Sequence, residues 1–410
     1  MQDRQLYEQI LGIASPWFVE RVELKLEEKS VHVQLAHRAD AVWHCPECGK
    51  ACPLHDHTPQ RTWRHLDTCQ YQTLLTAATP RTKCQEHGVH AVRLPWAEPH
   101  SHFTLLFERL AIEWLLAASQ QAVAARLGLS WDEVHGIMER AVKRGLARRQ
   151  QEPVAYLGVD EKAFRKGHRY VTLVTDLEHN RVLYVAADRQ QTSLDGFWKT
   201  LTAEQLQAIQ GVALDMWEPY ENSIRQHLPQ AEEKMVYDKF HVAKHLSEGV
   251  DRVRRAENKA LRAEGDERLV GSKYQWLRNS DNFTSDQWRE FRALRESNLK
   301  TARAWALKEQ GMVLWDYFQP AAARRHFAWW YGWATRSRLK PMIEKARMFK
   351  RHLTGILTYL KHGITNAVSE SLNSKIQWVK YTARGFRNFQ NFVTSIYFHC
   401  GGLELTPLAT

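Results

Sequence analysis

Short apolar and polar steps alternate along residues 17–44, most clearly at 22–26 and 31–35. An alternation with a period of two is typical of half-buried strands, so this stretch predicts a strand pair. Residues 45–90 lack the alternation and are rich in Cys, His and Pro. Residues 103–149 carry apolar side chains at helical spacing, and we predict helices there.

From residue 154 onward the apolar positions again alternate with a period of two. The predicted elements are strands at 154–160, 170–176 and 182–187, a helix near 193–204, a strand ending at Asp215, a helix from about 217 and a strand at 234–237. A turn at 178–180 joins the second and third strands as a hairpin. Three strands followed by alternating helices and strands predict a mixed sheet with helices on its faces.

Residues 239–362 show almost only helical periodicity and account for the chain's excess of positive charge. They contain 26 Lys and Arg against 13 Asp and Glu, a local net charge of +13. Since the whole chain carries +11, the remainder sums to −2. Solvated helix faces explain any single Arg, but the concentration of charge favours nucleic acid as a partner of the block.

Size and composition narrow the class of protein. A chain of 410 residues with 44% hydrophobic residues is expected to form two or three globular domains. No apolar run approaches the roughly 20 residues of a membrane span. Residues 1–5 lack the apolar core of a signal peptide, so we expect a cytoplasmic protein. Its six Cys are then expected to be thiols or metal ligands rather than disulfides.

Two pairs of soft ligands stand in the Cys-rich region. Cys45 and Cys48 form a Cys-x2-Cys pair, and Cys84 with His87 repeats the spacing; a Gly follows each pair. Four such ligands suit tetrahedral zinc, and four filled positions make the site structural. The competing ligands are Cys52, Cys69, His55, His57 and His65, and the competing interpretation is reduced thiols without metal.

A helix-turn-helix is predicted at 119–134, with Gly128 in the turn. Ser130 and Glu133 have the spacing of a capping box, which starts the second helix. That helix ends in four basic residues placed for phosphate contact, Lys143, Arg144, Arg148 and Arg149. An ordinary helix hairpin is the alternative, and the bases that would be read do not follow from the sequence.

Three carboxylates carry the catalytic hypothesis. Asp160 and Asp215 each end an apolar strand, and Glu370 stands on a helix opposite the apolar stripe of Val368, Leu372, Ile376 and Val379. Together they can hold two Mg²⁺ (or Mn²⁺) ions beside a phosphodiester. The rivals are Glu161, Asp176, Glu218 and Asp238, and His241 near Asp238 is either a ligand or a support.

The chain resembles the DDE transposases of bacterial insertion sequences, specifically the ISL-three family. The resemblance spans nearly the whole chain and includes 158–161, 215–217, 238–241 and 366–373 with 384–386. It implies an RNase H-like fold with a helical insertion before the final Glu, and it maps the acidic trio onto Asp160, Asp215 and Glu370. Cys84-x2-His87 departs from the Cys-x2-Cys expected there.

The fold class implied is a multi-domain α+β and α protein. A zinc-binding domain (1–100) and a helix-turn-helix domain (101–152) precede an RNase H-like mixed sheet (153–238 and 363–410) that is interrupted by the helical insertion (239–362). The implied activity is cleavage at the element's terminal inverted repeats and strand transfer into target DNA. A nuclease and a DNA-binding regulator derived from a transposase remain alternatives.

Further DNA contacts are expected close to the trio. Trp217 or Tyr220 can stack on an unpaired base, although core packing is the more ordinary role for either. The basic residues expected to hold DNA beside Glu370 are Lys375, Lys380, Arg384 and Arg387. By analogy we expect a homodimer or larger assembly on double-stranded DNA, associated with the nucleoid and without a membrane partner.

Overall fold

The computed structural model describes residues 3–150, 152–165, 167, 169–278, 282–364 and 367–407, except the side chains of 367–370. These residues divide into two compact units. The first comprises the described residues up to 149, with 397–399 and 403–407; the second comprises those from 150 to 396, with 400–402. Among the described residues no helix has both the length and the hydropathy that crossing a membrane requires.

The first unit combines strands with three consecutive helices. Its elements are α1 (Asp3–Leu11), β1 (Trp17–Lys25), β2 (Ser30–His37), β3 (Trp43–His44), β4 (Ala51–Cys52), β5 (Leu54–Arg64), β6 (Gln72–Cys84), β7 (Gly88–Ala91), α2 (Leu105–Ala117), α3 (Gln120–Leu127) and α4 (Trp131–Arg148). The predicted strand pair at 17–44 is confirmed as β1 and β2, which pair antiparallel with Val22 opposite Val33.

A sheet in the order β1-β2-β6-β5, with β7 on β6, forms the body of this unit, and β3 and β4 form a separate two-stranded ribbon. Four Trp rings pack at its centre, with Trp17 touching both Trp43 and Trp96, and Trp96 touching Trp63. Trp63 is fully buried. The large aromatic surfaces therefore give this small sheet its core.

The second unit holds a mixed sheet and most of the helices. Its elements are β8 (Tyr156–Arg165), β9 (Arg169–Asp176), β10 (Arg181–Ala187), α5 (Gln191–Trp198), α6 (Ala203–Ala208), β11 (Gly211–Leu214), α7 (Glu218–His227), α8 (Ala231–Lys234), β12 (Met235–Tyr237), α9 (Lys239–Ala263), α10 (Lys273–Leu277), α11 (Ser285–Glu296), α12 (Lys300–Met312), a 3₁₀ helix (Val313–Asp316), α13 (Pro320–Arg336), α14 (Lys340–Arg351), α15 (Leu353–His362), α16 (Ala367–Thr382) and α17 (Phe389–Cys400).

The strand order is β10-β9-β8-β11-β12. β8, β9 and β10 pair antiparallel, whereas β11 pairs parallel with both β8 and β12. This confirms the predicted mixed sheet, and with the helices it makes the architecture α+β. The helix predicted at 193–204 is wrong as a single element, because Thr202 caps a new helix through a capping box with Gln205 and so separates α6 from α5.

The described residues of 239–362 form only helices and their connections, as the periodicity predicts. These helices share one continuous hydrophobic core with the sheet, which runs from Val159 and Val212 through Tyr237 to Trp330 and Phe349. The insertion is therefore packed onto the sheet rather than joined to it by a loose linker.

Candidate functional site

Two adjacent parallel strands bring Asp160 and Asp215 to matching positions. In the ladder between β8 and β11, Ala213 lies opposite Gly158. Two residues further along each strand, the same register sets Asp215 opposite Asp160. Neighbouring strands lie about 4.8 Å apart, so the two carboxylates lie beside each other. Asp215 directly follows β11, whereas the prediction that a strand ends at Asp160 is wrong, because β8 continues to Arg165.

The next strand adds a third acidic residue to the same row. Leu214 pairs with Tyr237, so the register sets Asp238 level with Asp215. Asp238 is fully buried and caps α9, because its Oδ1 accepts a hydrogen bond from the Phe240 amide at 3.0 Å. Asp238 therefore stabilises the start of α9 as its N-cap residue.

His241 lies one turn into α9 and contacts Asp215. Its Nε2 lies 2.5 Å from Asp215 Oδ1. Burial alone would lower the pKa of His241, but the Asp215 carboxylate raises it above its ordinary value. The contact with Asp215 therefore favours the protonated form of His241.

The carboxylates repel one another in a partly dehydrated place. Burial, and then the charge of Asp215, raise the pKa of Asp160 against the lowering effect of the hydrogen bond from Asn373. Burial also raises the pKa of Glu161, and the charges of Asp215 and Asp160 add to that effect. Asp160, Glu161 and Asp215 are half-buried. Bound divalent cations relieve the repulsion in such a cluster of carboxylate oxygens.

The helix α16 crosses to this cluster. Leu372, Ile376 and Val379 are buried, as their predicted apolar stripe requires. Asn373 is buried too, and its Nδ2 donates a hydrogen bond to Asp160 Oδ2. The Glu370 side chain lies outside the described residues, as do Asn366 and the side chain of Val368.

Asn373 is the contact that sequence reasoning missed. At 3.6 residues per turn the sequence groups Asn373 with Glu370, about one turn apart. That grouping was the available signal, but it does not say which strand the face meets.

A cationic and aromatic stack adjoins the carboxylates. The Arg189 guanidinium lies 3.5 Å from Glu161 and sits over the rings of Tyr170 (4.4 Å) and Trp217 (4.6 Å). Trp217 Nε1 donates to the Arg189 carbonyl at 3.0 Å. Beside them is an open cavity of about 470 Å³. Tyr220, the other predicted stacking residue, is fully buried and belongs to the core.

The basic residues that follow Glu370 differ in whether they are free to contact a partner in solvent. Lys375, Arg384 and Arg387 are exposed. Lys380 is bound within the protein, because its Nζ donates to the Ala163 carbonyl at 2.6 Å.

The structure brings the four predicted zinc ligands together. Cys45 and Cys48 lie in the turn between β3 and β4, while Cys84 ends β6 and His87 stands in the turn to β7. The ligand atoms of the four residues all lie within 4.8 Å of one another.

The distances between ligand atoms fit tetrahedral zinc. Cys48 Sγ lies 3.8 Å from Cys84 Sγ, and His87 Nδ1 lies 3.6 Å from Cys84 Sγ and 3.9 Å from Cys45 Sγ. Zn–S and Zn–N bonds in a tetrahedron put sulfurs about 3.8 Å apart and sulfur and nitrogen about 3.5 Å apart. The hydrogen bond from His87 lowers the pKa of Cys84 to about 6, which favours the thiolate that zinc binds.

The competing ligands have other surroundings. The Cys52 thiol contacts the Lys50 carbonyl, and Cys69 is exposed. His65 is buried against Thr104, with 2.9 Å between Nδ1 and Oγ1. His57 meets the ring of His37, and His55 is exposed.

The helix-turn-helix forms as predicted. Gly128 ends α3 in the left-handed conformation at φ 66°, and Ser130 and Glu133 make both bonds of a capping box at the start of α4. Val134 and Ile137 are fully buried and join the shared core. Trp131, at the exposed start of α4, stacks on His135 at 4.8 Å. The first turn of a second helix is where such motifs reach bases, and sequence reasoning had not singled out Trp131.

One predicted phosphate ligand on α4 needs correction. The side chain of Arg144 is buried, with Nε 2.7 Å from Glu98 and Nη2 3.1 Å from Glu108, so its charge serves an internal ion network. Arg148 is half-buried and donates to the Thr406 carbonyl at 2.7 Å. Lys143 is exposed, and Arg149 is the half-buried residue that follows the helix. Position along the helix does not reveal which side faces the core.

Comparisons with known proteins agree with this organisation. A family model described as "Transposase" matches residues 157–396, a model of the "Helix-turn-helix domain of transposase family ISL3" matches 92–142, and a model of the "zinc-finger of transposase IS204/IS1001/IS1096/IS1165" matches 41–87. The transposase for insertion sequence element IS1001 of Bordetella parapertussis is 31% identical over 401 residues, which cover 97% of this chain and 98% of that protein. The transposase for insertion sequence element IS1557 of Mycobacterium tuberculosis is 26% identical over 423 residues, covering 96% and 94%.

Proposed function

This chain belongs to the ISL3 family of insertion-sequence transposases, and from that premise we propose that it binds the ends of its own element, cleaves them and joins them to target DNA. The observation that carries the proposal is the register of two adjacent parallel strands, which sets Asp215 level with Asp160, together with the hydrogen bond from α16 to Asp160. The strand order, three antiparallel strands followed by two parallel ones, supports an RNase H-like sheet.

Glu370 is our proposed third carboxylate. Two hydrogen bonds tie α16 to β8, from Asn373 to Asp160 and from Lys380 to Ala163. From Asn373 to Lys380 the helix rises about 10.5 Å, and from Asp160 to Ala163 the strand rises about 10 Å. The helix therefore runs alongside the strand over this distance. Glu370 precedes Asn373 by about one turn, so we propose that its carboxylate reaches Asp160 from about 5 Å away along the helix axis.

The donor set suits two Mg²⁺ or Mn²⁺ ions, held by Asp160, Asp215 and Glu370. Bound there, these ions would activate the attacking oxygen and stabilise the leaving one in each displacement at phosphorus. The protein's own part is positional: Asn373 orients Asp160, and His241 orients Asp215 and balances its charge.

The N-terminal modules are proposed to recognise the element ends. Cys45, Cys48, Cys84 and His87 hold a structural zinc in this proposal, and α4 enters a major groove. Phosphate contacts are assigned to Lys143, Arg148 and Arg149 on the helix-turn-helix, and to Lys375, Arg384 and Arg387 after α16, with Trp217 available to an unpaired base. Lys380 is not assigned to DNA, because it bonds α16 to β8. We also propose a homodimer or larger assembly, since synapsis brings two element ends together.

Single substitutions of the trio test the activity. Asp160→Asn, Asp215→Asn and Glu370→Gln are expected to abolish cleavage and joining of an end-containing duplex while end binding persists. Asp238→Asn is the matched control, since it removes a neighbouring carboxylate that caps a helix. Cleavage without joining by the wild type would indicate a nuclease, and binding alone a regulator. If Glu370→Gln cleaves normally while Asp238→Asn does not, the trio is wrongly assigned.

A further inference from the structure

The helix α13 carries a basic surface that the proposed catalytic chemistry does not use. Arg324, Arg325 and Arg336 are exposed on this helix, and Arg338 and Lys340 are exposed just after it. Trp329, between the arginines, is 55% exposed, whereas its neighbour Trp330 is 2% exposed and packs inside. We call these five cations with Trp329 the α13 basic face.

The α13 basic face has no acidic residue of its own. Residues 317–343 contain five Lys and Arg and not one Asp or Glu. In the described part of the chain, none of the five lies within 4 Å of a carboxylate. Elsewhere in the insertion the charge is offset locally, as in Arg252 with Glu344 (2.8 Å) and Arg255 with Asp251 (3.1 Å).

Clustered cations of one sign select a polyanion over a second copy of the chain. In a two-fold symmetric contact the same patch meets itself, so the cations of the two copies would face and repel one another. Interfaces between proteins also exclude uncompensated charges from their centres. A phosphodiester backbone neutralises such charges and releases counterions on binding.

We propose that the α13 basic face binds the phosphodiester backbone of DNA, a contact that rests on the proposed transposase function. From Arg325 to Arg336 the helix rises about 16 Å, which spans about five phosphates of one strand at 3.4 Å each. Exposed Trp329 in the middle of the face adds an aromatic surface of the kind that contacts sugars and bases. The contact is independent of sequence, because arginines on phosphates do not read bases.

The test replaces three exposed arginines, Arg324→Gln, Arg325→Gln and Arg336→Gln, in the full-length chain. Binding to an end-containing duplex and to an unrelated duplex is measured by fluorescence anisotropy between 50 and 300 mM salt. Each lost phosphate contact lowers the salt slope by about 0.9, so the slope is expected to fall by about 2 to 3. Binding near 150 mM salt is expected to weaken roughly ten- to a hundredfold on both duplexes.

A matched triple variant controls for net charge. Arg252→Gln, Arg255→Gln and Arg268→Gln remove the same three charges from exposed sites that are ion-paired. This control is expected to keep the wild-type slope to within about one. Melting curves of both variants establish that each is folded.

The outcomes separate the two proposals. Equal salt slopes in the α13 variant, the control and the wild type would overturn the role of this face, even if cleavage by the wild type establishes the transposase. A changed oligomeric state of the α13 variant without DNA, at an unchanged slope, would instead make the face an interface between copies. Failure of the wild type to cleave or join DNA would reject the proposed function. The comparison of salt slopes would still test the α13 basic face, because it measures binding alone.

Discussion

Replacement of Asn373 by alanine tests the active-site geometry most directly. The change removes the donor that α16 gives to Asp160 and leaves the apolar stripe of Leu372, Ile376 and Val379 intact. A hydrogen bond to a charged group contributes about 1.5–3 kcal/mol, which corresponds to roughly a 10- to 150-fold change in an equilibrium or rate. Since Asn373 lowers the pKa of Asp160, its loss is expected to raise that pKa further.

The assay is single-turnover cleavage of a labelled end duplex over a Mn²⁺ or Mg²⁺ titration. We expect the Asn373→Ala rate to fall by one to two orders of magnitude at limiting metal and to recover partly at high metal, with end binding unchanged. Gln377→Ala, four residues on and exposed, is the control and should cleave normally. Wild-type cleavage by Asn373→Ala at every metal concentration would refute the inference that α16 positions Asp160.

Three further predictions concern the first unit. Metal analysis of purified protein should find about one zinc per chain, and Cys84→Ser should lose the zinc and melt at a lower temperature; a metal-free wild type that remains folded would remove the zinc proposal. Arg144→Ala should cost about 1.5–3 kcal/mol and so lower the melting temperature, because Glu98 loses its partner and buried Glu108 keeps only Arg140 as a charged one. Exposed Lys143→Ala should weaken DNA binding with little change in melting, and the reverse pattern would restore Arg144 as a phosphate ligand. Burial lowers the pKa of His65 from its ordinary value of 6.5 to about 4. Between these two pH values His65 is protonated in the unfolded chain but neutral in the folded chain. Stability is then lost as pH falls from about 6.5 to 4, by up to about 3 kcal/mol, and His65→Gln should flatten that loss in melting curves at pH 7.5 and 5.

Local chemistry could be predicted from the sequence wherever one segment decides it. The capping box of Ser130 and Glu133 forms because its two partners are three residues apart, and the strand pair at 17–44 follows from alternation alone. The helix predicted at 193–204 was wrong because helical periodicity continues across Thr202, whose capping chemistry ends the run.

Contacts between distant segments could not be predicted in the same way. Exposed and buried positions on α4 alternate within one basic run, so Lys143 faces outward while Arg144 meets Glu98 and Glu108. Both arginine and lysine have long side chains, and only the tertiary fold decides which of them finds an acid. The hydrogen bond from Asn373 to Asp160 could not be predicted either. The helical period fixes the face of α16 on which Asn373 lies, but not the residue that it meets.

The insertion explains how the chain brings α16 back to β8 after so long an excursion. The helix α15 packs on β12 at Gly355, where a methyl group would lie 2.4 Å from the ring of Tyr237. Glycine is therefore required for that approach, and Gly363 then ends α15 in the left-handed conformation at φ 63°. Because Tyr237 immediately precedes Asp238, α15 begins near the row of aspartates. It ends at the other end of the strands, where His362 contacts Tyr156 and Ile364 lies beside Gly211. The connection to α16 therefore starts at the end of β8 and β11 that lies away from the carboxylates. The two hydrogen bonds to β8 then fix where α16 lies along the strand beside Asp160.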